Sequence, residues 1–277
     1  GHFWTQQYGT KSMLLSNSVI GGVEDLGAVY YNPARLGLIK NPSFLISANV
    51  YEWNRYKLEN AFGENKNANK SNFGGIPSLI AGSFNLSFLK KHTFAYAVLL
   101  RQNFDMNVGY SEEVYSDVID QFPGEEYFGG SMQLRSTAKE QWFSLAWSYP
   151  INERLSVGIT TNASILDVGK GSNFALQALS QTNDVVSYQF AREISYLHYG
   201  LIWKAGLAST FRKIAWGLTL TTPVIALKGR GDYTYDKIFT GIDSSYTDEY
   251  TTSRQFGLGT KRHTPLSVGF GFTVPIK

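Results

Sequence analysis

Cysteine is absent from this chain of 277 residues, so no disulfide framework is used. Charge is scarce as well. Asp, Glu, Lys and Arg supply 17 % of the residues, against about 25 % in ordinary soluble domains. No run of about 18 apolar residues occurs, which excludes a transmembrane helix. The head, Gly1-His2-Phe3-Trp4, lacks the basic start and apolar block of a signal peptide, so an exported protein is expected to be in mature form here. The formal net charge of +3 is spread without any block of like sign and implies no nucleic-acid partner. The four histidines, His2, His92, His198 and His263, stand at no metal-ligand spacing from one another. No glycine motif for phosphate precedes a helix. No metal, cofactor or catalytic constellation is therefore expected.

What is abundant points one way. Phe, Tyr and Trp reach 15 %, and there are 27 glycines. From Ser43 onward the apolar period is two, the signature of strands. Ile80, Phe84, Leu86 and Phe88 alternate with small residues, and after Leu89-Lys90-Lys91-His92 come Phe94, Tyr96, Val98 and Leu100. Phe143, Leu145, Trp147 and Tyr149 lead through Pro150-Ile151-Asn152-Glu153 to Leu155, Val157, Ile159 and Ile165. Leu197 to Leu207 leads through Phe211-Arg212-Lys213 to Ile214, Trp216, Leu218 and Leu220. Leu266, Val268, Phe270, Phe272 and Val274 form a last run. About eight strands of about 10 residues result, longer than the usual 5–6 and matched to the 9–11 that cross a bilayer.

Short links are expected near 89–92, 150–153 and 211–213, and long polar loops near 57–77, 112–136, 169–191 and 231–261. This asymmetry is that of an outer-membrane barrel with tight periplasmic turns and long external loops. The large apolar face is then expected to meet lipid and the Ser/Gly/Thr/Ala/Asn face to line the interior. Pro223 interrupts strand seven, since proline cannot donate to a ladder. Such a defect is either a bulge or an opening in the wall.

Residues 1–42 are expected to form a separate segment before the wall at 43–277. Ser12 to Val23 has a short helical pattern with Met13, Leu14, Val19 and Ile20 as its apolar positions, and Asn32 is positioned to cap a turn begun by Pro33. The stretch Ser16 to Gly37, SNSVIGGVEDLGAVYYNPARLG, resembles the N-terminal signature of the FadL/TodX family of outer-membrane transport proteins. Asn32-Pro33-Ala34 matches its motif, while Arg35 stands where that family usually has Gly.

The resemblance implies an all-β fold, a transmembrane antiparallel β-barrel of 14 strands with an N-terminal hatch inside its lumen. It implies an integral protein of the bacterial outer membrane that passes hydrophobic compounds, of the fatty-acid or aromatic-hydrocarbon class, without enzymatic activity. Outer-membrane lipid would surround it, and an apolar ligand or detergent would occupy the lumen. Tyr30, Tyr31, Asn32, Pro33, Ala34 and Arg35 are the expected gating residues. Phe122, Tyr127, Phe128 and Phe174 are the expected ligand pocket beyond them. Eight strands would enclose only side chains, so a hatch requires strands beyond Lys277. Two other functions fit the same residues: a non-transporting barrel bound to other envelope proteins in a secretion or assembly complex, and a lipid hydrolase using His198.

Overall fold

The structure, a computed structural model, describes residues 7–9, 12, 18–39, 44–60, 67–242 and 246–274. The proposed helical positions Met13 and Leu14 lie outside these. Among these residues the helical turns α1 (Ala28–Tyr31) and a 3-10 helix (Pro33–Leu38) precede ten strands. These are β1 (Phe44–Leu58), β2 (Ala68–Phe84), β3 (Thr93–Ser116), β4 (Glu126–Pro150) and β5 (Leu155–Leu179), then β6 (Val185–Phe211), β7 (Ile214–Thr221), β8 (Ile225–Thr240), β9 (Glu249–Gly259) and β10 (Ser267–Thr273). All pairings are antiparallel between chain neighbours, except that β6 meets both β7 and β8, and β7 meets β10. The sheet path runs from β1 to β10.

The pairing of β6 explains the extra strand count. Its Lys204–Phe211 part pairs β7, while its Ser187–Leu201 part pairs β8. Thus β7 and β8 are two halves of one strand, broken at Thr222-Pro223-Val224. The residues 260–266 make the matching break between β9 and β10. Eight strand tracks remain, two of them interrupted at one height.

Two expectations need correction. The supposed long polar loops are mostly strand: β3 to β6 run 24, 25, 25 and 27 residues, and their far ends are joined by short turns. The polar sequence misled because those strand ends carry polar side chains on the face where the other ends carry large apolar ones, which erases the alternation on which a strand reading rests. The link after β2 is also longer than expected. Asn85–His92 forms consecutive turns, with Leu89 N donating to Leu86 O and His92 N to Leu89 O at 2.9 Å each, so Leu86 and Phe88 are not strand residues.

The two faces of the sheet are chemically opposite. On one stand Tyr96, Val98, Phe143, Leu145, Ile159, Leu218, Leu220, Phe270 and Phe272, all exposed. On the other, Ala95, Ala97, Ala146, Ser148, Ser156, Thr160, Asn162 and Ala208 are buried. A protein that buried its apolar face would have the reverse arrangement. The large apolar side chains also occupy a band. On β4 the series Phe143, Leu145, Trp147, Tyr149 gives way to Lys139, Thr137 and Arg135 at the same phase. On β5 Ile165 is followed by Asp167, and on β6 Leu197 is preceded by Ser195 and Glu193. Since β4–β5 and β5–β6 pair without a register shift, these changes fall at neighbouring points: Lys139 opposite Asp167, and Asp167 opposite Leu197.

The N-terminal segment packs on the small-residue face. Glycines on the wall permit the approach: a Cβ at Gly158 would lie 2.6 Å from the Pro33 carbonyl carbon, and one at Gly206 would lie 2.2 Å from Asn32 Oδ1. Leu26, Val29, Tyr31 and Leu36 share one buried cluster with Leu79, Leu99, Trp142 and Ile202 of the wall.

Candidate functional site

Asn32 acts as expected, and more widely. Its extended backbone precedes the 3-10 helix, and its Oδ1 accepts from Ala34 N at 3.1 Å, with Pro33 at the first helical position. Its Nδ2 donates to Ile20 O at 3.0 Å and to Leu207 O on β6 at 3.1 Å. The turn is thereby fixed both to its own segment and to the wall. Ala34 O accepts from Ser148 Oγ at 3.2 Å. Val29 O accepts from Thr160 Oγ1 at 3.0 Å. Arg35 is buried, donating from Nε to Val23 O at 3.1 Å and from Nη1 to Thr210 Oγ1 at 3.0 Å. Burial lowers its guanidinium pKa, partly offset by Glu24. Arg35 is a tie between segment and wall.

Tyr30 and Tyr31 stand edge to face at 5.1 Å, with Tyr8 4.5 Å from Tyr30 and Trp142 5.9 Å from it. Burial raises both phenol pKa values, so both stay protonated at neutral pH. Behind them lies a charged network. Glu140, 1 % exposed, accepts from Arg101 Nη1 at 3.1 Å and from both Nη atoms of Arg262 at 2.8 and 3.0 Å. Trp142 Nε1 and Ser164 Oγ donate to it at 2.6 and 2.9 Å. Lys204 donates to Tyr30 O and has its ammonium 4.5 Å from the Tyr30 ring centroid.

These groups enclose a cavity of about 440 Å³ between Tyr30–Tyr31, the wall residues Arg101, Trp142, Ile202 and Lys204, and the stretch Arg262–Gly269 that bridges the strand break. Arg262 ties that bridge to Glu140 on the small-residue face of the sheet. Across the break, Val224 N donates to Thr264 Oγ1 at 2.8 Å and Trp203 N to Thr222 Oγ1 at 3.0 Å. Pro223 therefore sits where the ladder ends, and side chains replace the missing backbone bonds.

The other expected pocket residues do not join this site. Phe122 and Phe128 meet in a separate cluster near the far turns with Ala178 and Val186. Phe122 also lines a cavity of about 580 Å³ there, beside Asp184, Ile242 and Asp248. Tyr127 lies one residue from Phe128, hence on the opposite face, with its ring 5.0 Å from Tyr115. Phe174 stacks edge to face with Tyr188 at 5.7 Å. His198 is 1 % exposed, and neither ring nitrogen meets a hydrogen-bond partner among the described residues.

Sequence reasoning missed Glu140, Trp142, Lys204 and Arg262. A signal existed for two of them. Glu140 and Lys204 stand on the face that elsewhere carries small and apolar residues, and a charge there must find partners when buried. No protein-family model, curated protein or solved structure matches this chain.

Proposed function

We propose that this chain forms part of the wall of an outer-membrane β-barrel, with residues 1–42 as a hatch inside it, and that apolar small molecules pass through the space the hatch controls. The observation that carries the reading is the reversal of faces. A band of large apolar side chains is exposed, while the small and polar face is covered by the chain's own N-terminal segment. Closing such a wall around a hatch requires more than eight strand tracks. The fatty-acid or aromatic-hydrocarbon class suits a cavity that sets Tyr30, Trp142 and Ile202 beside Arg101, Lys204 and Arg262. The break at Pro223 lies along that cavity and supplies a route toward lipid.

The absence of cysteine makes a direct test available. A Cβ at Gly37 would lie 2.8 Å from Ser148 Oγ and 2.5 Å from Ser156 Oγ, so a cysteine pair at positions 37 and 148 is brought within bridging reach in a chain whose Ser156→Ala substitution makes room for it. The full chain carrying Gly37→Cys, Ser148→Cys and Ser156→Ala, reconstituted in vesicles, is expected to take up a fluorescent apolar probe when reduced and not when oxidised. Equal uptake in both states, with the bridge verified, refutes a mobile hatch.

A further inference from the structure

A second cavity, of about 410 Å³, shares Arg262 with the one described and is lined by Tyr196, His198, Thr260 and Lys261. Two of its side chains carry buried polar atoms that meet no hydrogen-bond partner among the described residues: both ring nitrogens of His198 and Oγ1 of Thr260. Unsatisfied groups of this kind are uncommon in folded proteins and destabilising, and two on one cavity point to something that binds there.

The donor and acceptor pattern narrows its chemistry. Both Nη atoms of Arg262 are committed to Glu140. Arg262 and Lys261 line the cavity with His198, no carboxylate does among the described residues, and Glu140 already answers Arg101 and Arg262, so the ring is read as a neutral imidazole. A neutral imidazole offers one donor and one acceptor, and a threonine hydroxyl offers both. A hydroxyl group, which donates and accepts, matches this pair. A carboxylate only accepts and leaves the imidazole lone pair unmatched, and a hydrocarbon matches neither group.

We propose that His198 and Thr260 form a subsite for the hydroxyl of an apolar alcohol or phenol, whose hydrocarbon part extends past Arg262 into the cavity beside Tyr30 and Trp142. This rests on the reading that apolar molecules enter that cavity. The test uses the full chain in nanodiscs with three matched probes, 4-butylphenol, butylbenzene and 4-butylbenzoate, and follows histidine ring nitrogens by isotope-labelled NMR. The phenol is expected to bind about tenfold more tightly than butylbenzene, as one good hydrogen bond allows, and to shift the His198 signals. Thr260→Val and His198→Phe should each remove that preference and leave butylbenzene affinity intact. Equal binding of phenol and butylbenzene, or unmoved His198 signals because the pocket holds water only, overturns the subsite. An unchanged phenol preference in both variants does the same. If none of the three probes binds, the passage reading itself fails.

Discussion

Replacing Glu140 by Ala tests the charged network and the bridge it holds. The carboxylate is buried to 1 % exposure between guanidiniums whose side chains are 14 % and 18 % exposed, so solvent screens little of the interaction. Its removal takes away the carboxylate that lies between Arg101 and Arg262. At about 6 Å and an effective dielectric near 20 their repulsion is about 3 kcal/mol. The bonds from Trp142 and Ser164 are lost as well. A total of about 3–5 kcal/mol matches what breaking a buried ion pair usually costs. Urea unfolding in detergent micelles, followed by tryptophan fluorescence, measures it. Arg262→Met should be milder, because Arg101 still answers the carboxylate, and the double variant should recover part of the loss. A cost below about 1 kcal/mol for Glu140→Ala, or strict additivity with Arg262→Met, refutes the network as a structural clamp.

Leu145→Arg places a charge on the apolar face at a residue 56 % exposed. Refolding into bilayers should show a loss of about 2–4 kcal/mol if this face meets lipid, whereas a value near zero places it in water. Asn32→Ala removes the cap and two carbonyl ties, and a loss of about 1–2 kcal/mol is expected by the same unfolding assay. Gly158→Val drives a side chain into the Pro33 backbone. The N-terminal segment should then undock, and trypsin should cleave after Arg35 much faster than in the parent chain; unchanged protection would show that the segment is held elsewhere.

The strand tracks, their phase and the break at Pro223 were legible in the sequence because side chains on a strand must alternate between faces. The same alternation separated the large apolar face from the small one. Asn32 and Pro33 announced their turn through local chemistry alone: a side-chain acceptor that caps and a ring with fixed φ. Where both phases carried polar residues, the signal vanished and strand was taken for loop.

What tertiary structure alone decided is which distant residues meet. Glu140 on β4, Arg101 on β3 and Arg262 after β9 lie far apart in the chain, and no local pattern fixes their encounter. The division of the expected aromatic pocket follows from register as well. Phe128 and Tyr127 face opposite sides, and Tyr30 lies in a different buried cluster from Phe122. Composition and period set the faces of this sheet by steric necessity. The pairing of β6 with two half-strands set where the wall breaks, and so where Arg262, His198 and Thr260 come together.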